Sequence, residues 1–124
     1  MKAQVSVEGM LSMSIVLAIF ALVIFSTLSA RETAGNLEDF LKKREECIRV
    51  SEDLYSAFVL GDGTTVFTKI NRIVDIVNDT IYVRSTLGDQ AVICDSRAPV
   101  VTSSLTKGYA RIENLNGVLV IANV

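Results

Sequence analysis

The chain has 124 residues and a formal net charge of −2, with two Cys, one Pro, no His and no Trp. That length suits one small domain plus one long element, and is too short for two domains with separate cores. No basic patch with interleaved aromatics is present, which argues against a nucleic-acid partner. Two Cys without His exclude the usual soft metal sites and any His-dependent catalysis.

Half of the residues are apolar and the mean hydropathy is +0.43, a high value that one end of the chain accounts for. Residues 9–30, GMLSMSIVLAIFALVIFSTLSA, carry no charge. As a helix these 22 residues span about 33 Å, enough to cross a bilayer core of roughly 30 Å. A cleaved secretory signal fits less well, because its apolar core is shorter and a small-residue site follows it. Ser26-Thr27-Leu28-Ser29-Ala30 imitates such a site, so that reading stays open. Lys2 alone is basic before the stretch, whereas Arg31, Lys42, Lys43 and Arg44 follow it. The positive-inside rule therefore leaves the orientation ambiguous.

The entrance to this stretch is more specific. The chain opens Met1-Lys2-Ala3-Gln4-Val5-Ser6-Val7-Glu8, with a carboxylate at the edge of the apolar run, where charge is costly and asks for a partner. Gln4-x-Ser6-x-Glu8, directly after Lys2-Ala3 and leading into an apolar helix, resembles the class III signal peptide of archaeal type IV pilins. Ser12 stands where the family pattern has Leu, and Leu11 sits one residue earlier. The resemblance covers about a dozen residues. It implies a cut by a prepilin peptidase between Ala3 and Gln4, on the cytoplasmic side, leaving the apolar stretch on the mature chain. It also implies that Glu8 pairs with the free amine of Gln4 on a neighbouring subunit. A buried charge left unpaired costs about 3–5 kcal/mol, so such a pair favours one register between subunits. The alternative for Glu8 is a carboxylate in the headgroup region of a plain anchor.

No Pro interrupts residues 1–98, and Glu8 to about Leu60 reads as one helix, roughly 80 Å long. After Asn36 the pattern turns amphipathic: Leu37, Phe40, Leu41, Cys47, Ile48, Leu54, Tyr55 and Phe58 recur near helical spacing. This stripe is expected to pack on a β domain. Glu38, Lys42, Lys43, Glu45, Glu46, Arg49, Glu52 and Asp53 form the expected polar face. Gly35 is a candidate joint, costing about 1 kcal/mol within a continuous helix. Gly61-Asp62-Gly63 ends the helix.

Beyond it the period changes to two and β-branched residues dominate. Residues 64–70, 72–77, 80–86, 90–95, 107–114 and 118–123 read as strands, with turns at Asn78-Asp79, 87–89 and Asn116-Gly117. Residues 118–122, apolar on both faces, are expected to form a central strand. The fold class is α+β, a long N-terminal helix with a small antiparallel sheet of five or six strands on its second half. The expected organisation is a leader at 1–3, an apolar transmembrane or filament-core helix at 4–30, its amphipathic continuation at 31–60 and a β domain at 61–124.

Cys47 on the helix and Cys94 near a strand end invite a disulfide if this region is exported; two buried thiols are the alternative. Asn78-Asp79-Thr80 is an N-glycosylation sequon in an expected surface turn, which short sequence alone also produces by chance. The other carboxylates (Asp62, Asp75, Asp79, Asp89, Asp95 and Glu113) are scattered near turns. No calcium loop, nucleophile–base pair, phosphate loop or cofactor motif appears, so an enzyme is not expected.

The leading expectation is a structural subunit of an extracellular type IV pilus-like filament. It is made as a membrane precursor, and its partners are identical or homologous subunits, the peptidase and an assembly machinery. Gly9, Ser12, Ser14, Ala18 and Ala21 would let helices approach closely. The alternative is a single-pass anchored protein whose outer domain binds a partner without polymerising.

Overall fold

The computed structural model describes residues 2–124, with side chains from Gln4 onward. The fold is α+β: helix α1 spans Lys2–Leu60 and seven strands follow it. The chain divides into two compact units, 1–38 and 39–124.

In the first unit every described side chain, from Gln4 to Glu38, is exposed. Three hydroxyls on this apolar helix bond to its own backbone. Ser14, Thr27 and Thr33 each donate to the carbonyl four residues back, at 2.9, 2.8 and 3.0 Å. Their hydrogen-bonding capacity is thus met without water, which is what a helix in an apolar medium requires. Gly35 does not break α1, which runs through it.

The second unit contains the rest of α1 and strands β1 (Thr65–Ile70), β2 (Ile73–Val77), β3 (Thr80–Arg84), β4 (Val92–Asp95), β5 (Ser103–Leu105), β6 (Gly108–Leu115) and β7 (Val118–Asn123). They form two antiparallel sheets, ordered β1-β6-β7 and β4-β3-β2-β5, rather than the one sheet expected. Only Asn71 and Arg72 separate β1 from β2, yet these strands lie in different sheets. The Glu46 carboxylate of α1 accepts the backbone N–H of Asn71 at 2.6 Å and of Arg72 at 3.2 Å. Those two amides bond to the helix instead of extending a ladder, and the chain crosses between sheets there.

Two hairpins carry the turn chemistry read from the sequence. Asn78 and Asp79 have φ of 49° and 63°, and Asn116 and Gly117 have 54° and 81°. Positive φ at both central residues defines the tight turn that matches strand twist. Strand β7 is not central; β6 is, with β1 and β7 on either side. The other edge of β7 meets residues 99–101 through a short parallel bridge, Val100 to Leu119. Its residues also alternate, with Leu119 and Ile121 buried while Val118 and Ala122 are exposed. Strand β5 lies in the irregular region after Pro99 and has no expected counterpart, since three residues carry too little periodicity to read.

Inward positions of both sheets close on α1 of this unit. Cys47, Val50, Leu54 and Ala57 are fully buried on the helix, against Ile70, Ile76, Ile81, Leu105, Ile112 and Leu119 on the strands. The helix ends at Gly61, whose φ of 95° is the left-handed conformation that commonly terminates helices. Buried Asn114 on β6 completes the cap. Its amide donates to the carbonyls of Ala57 and Phe58 at 3.2 and 3.4 Å, and its carbonyl accepts Gly117 N–H at 3.0 Å.

Candidate functional site

The residues of the expected processing motif lie on α1. Gln4 and Glu8, four apart, share one helical face, and Ser6 lies between them on another. All three side chains are exposed. Met1 and the side chains of Lys2 and Ala3 lie outside the described residues, and with them most of the expected leader 1–3 and the Ala3 side of the expected cut. The apolar run that follows is open all round, with Met10 70 % and Phe25 73 % exposed. By length and composition α1 can cross a membrane.

In the second unit the amphipathic stripe divides into two. The residues turned to the sheets are Cys47, Val50, Leu54 and Ala57. Leu41, Ile48 and Tyr55 are 54 %, 44 % and 48 % exposed. Spaced by seven, they form a second seam rotated away from the sheets, continued by Val59. Of the expected stripe, only Cys47 and Leu54 pack on the β strands; Leu37, Phe40, Leu41, Ile48, Tyr55 and Phe58 are exposed. The sequence signal merged two apolar faces into one, because the core face is built partly from small Ala57 and includes polar residues that break the pattern. Arg44, Glu45 and Glu52 line a shallow groove with Leu41 and Ile48, so charges of both signs border the outer seam.

Two residues assigned to the polar face are buried instead. Lys43 is 5 % exposed, and Glu46 also 5 %. Each is tolerated because it is fully engaged, as buried charges must be. The Lys43 ammonium bonds Asp39 at 2.8 Å and also Asp89 and the Gln90 carbonyl. Arg72 reaches Asp39 at 3.1 Å and bonds Ser85. This cluster fastens the β3–β4 loop to the helix. Hydrogen bonding to Asp39 first, then to Asp89, raises the Lys43 pKa above the usual lysine value. The hydrogen bond from Lys43 lowers the pKa of both Asp39 and Asp89.

Cys47 and Cys94 are joined by a disulfide, with Cα atoms 6.2 Å apart. It ties the core face of α1 to β4, the bridge expected of these two cysteines, in place of two buried thiols. Asn78 is exposed at the β2–β3 turn, and the adjoining Asp79 carboxylate accepts Val100 N–H at 2.9 Å. Asn in a turn of this type is explained by its φ, whatever else the sequon does. Among the described residues no group of three or more His, Cys, Asp or Glu is placed to hold a metal ion. Compared with family models, with curated proteins and with solved structures, the chain finds no match.

Proposed function

We propose that the chain is a structural subunit of an extracellular filament of the type IV pilus kind. It is made as a membrane precursor, trimmed between Ala3 and Gln4 by a prepilin peptidase, and assembled through α1 with further copies of itself or its homologues. The observation that carries the reading is the outer seam. A membrane span uses about 20 apolar residues, and residues 9–30 supply them. A plain anchor has no use for Leu41, Ile48 and Tyr55 exposed one heptad apart beyond that span. Left in water, such a seam is a liability; covered by a neighbouring helix, it is an interface.

Three further features support the reading. The Gln4-x-Ser6-x-Glu8 order resembles archaeal pilin processing sites. Every described side chain of unit 1 is exposed and most are apolar, which suits a helix covered by lipid first and by other helices later. A disulfide persists in oxidising surroundings, which suits a domain outside the cytoplasm.

The test is an Ile48→Asp variant as the cell's sole copy, with surface filaments counted by electron microscopy. The expected result is normal membrane insertion, an intact disulfide and no filaments. Normal filaments from this variant would contradict the proposal. Glu8→Ala is expected to do the same through loss of the charge pair with a neighbour's Gln4 amine.

A further inference from the structure

The outer face of the four-stranded sheet has a feature that neither the core nor assembly through the helix uses. The antiparallel register sets Ser104, Asp75, Tyr82 and Ile93 in one row across β5, β2, β3 and β4. A shallow groove of about 520 Å³ lies over this row, bordered by Tyr82 and Arg84 on one side and by residues 102–104 on the other. Its polar groups are held in place. The Asp75 carboxylate accepts the Ser104 hydroxyl at 2.5 Å and the Arg84 guanidinium at 2.6 Å. The ion pair is laid into the surface, with Arg84 29 % and Asp75 21 % exposed. The Arg84 Nε is buried with no partner among the described residues.

A solvated sheet face would turn its charges out to water. Here a fixed carboxylate, a fixed guanidinium, a hydroxyl and a phenol ring share one groove, which is the mix of an apolar platform and a few placed polar groups that small-ligand sites use. Because the groups are already ordered, little entropy remains to be lost on binding. The charges restrict the ligand. An anion meets Asp75, a cation meets Arg84, and a purely apolar ligand would bury the pair without hydrogen bonds, which is costly. What remains is a neutral molecule with a C–H face for Tyr82 and several hydroxyls that both donate and accept.

We propose that this groove binds a neutral saccharide unit, its ring lying on Tyr82 and its hydroxyls shared among Asp75, Arg84 and Ser104. The site is independent of the helix seam, so it stands whether or not the chain polymerises.

The experiment uses the full chain in phospholipid nanodiscs, which avoid sugar-headed detergents. Saturation-transfer NMR is run with glucose, galactose, mannose, N-acetylglucosamine trisaccharide and, as the anionic probe, sialyllactose. The expected result is transfer to ring protons of at least one neutral sugar. In Tyr82→Leu, which keeps an apolar side chain on the strand, binding weakens by about tenfold, equivalent to about 1.4 kcal/mol. If Tyr82→Leu lowers the melting midpoint, Ser104→Ala at an exposed position carries the same test, with weaker binding expected. No transfer to any neutral sugar, transfer to sialyllactose alone, or binding unchanged in the folded variants would each overturn the proposal.

Discussion

Helix α1 differs between its two halves. Up to Glu38 every described side chain is exposed, and Ser14, Thr27 and Thr33 bond back to the helix's own carbonyls. From Asp39 it buries one face against two sheets and leaves a heptad-spaced seam uncovered. The difference shows that the apolar content of a helix does not by itself say what it packs against. The core face is short and includes Lys43, Glu46 and Ser51, whereas the larger apolar side chains Leu41, Ile48 and Tyr55 point elsewhere. Stability of the second unit should therefore depend on the core face, and association on the outer one.

The largest expected effect is on the bridge between that core face and β4. Removing it as Cys47→Ala with Cys94→Ala should lower unfolding free energy by about 4 kcal/mol, the chain-entropy value for a loop of this length. Denaturant unfolding of the full chain in nanodiscs reads this directly; a change below about 1 kcal/mol would mean that the bridge constrains little.

Next comes Leu54→Ala on the core face, which should cost about 3 kcal/mol through a buried cavity. Its counterpart Ile48→Ala on the outer seam should change stability by no more than about 0.5 kcal/mol. Equal losses from the two would erase the distinction between the faces. Asn114→Ala should cost about 2 kcal/mol, since it strips a buried donor from the last turn of α1.

The smallest effect is electrostatic. Asp39 and Asp89 titrate below the ordinary carboxylate range in the folded chain. Their contribution is present above the unfolded value near pH ~4 and is lost as pH falls through the lowered folded values. Lys43 titrates above its ordinary value. Its contribution holds below about pH 10.4 and is lost as pH rises through the folded value. The melting midpoint should thus be flat near neutrality and fall at both ends. Lys43→Met should flatten the acid limb; an unchanged acid limb would remove the cluster from the account.

Much of this was legible beforehand. The long helix, its end at Gly61 and both Asn-initiated turns follow from local residue chemistry, which acts within a few positions. The split into two sheets was not legible, because it depends on Glu46 bonding to amides 25 and 26 residues away. The burial of Lys43 likewise depends on Asp89, which periodicity along the helix cannot reveal. Strand β7 looked central because its residues are apolar, yet its outer edge is covered by residues 99–101 rather than by a strand. In the candidate site, Gln4, Ser6 and Glu8 were singled out by their order alone. The outer seam was seen as apolar and assigned to the wrong neighbour.

The central claim of the proposed function is that α1 keeps its apolar stretch after processing and is then used for assembly, and the mass of the mature N-terminus tests this most directly. A mature chain beginning at Gln4, with residues 9–30 retained, is the predicted result. A chain that keeps Met1, or one that begins after Ala30, would contradict it.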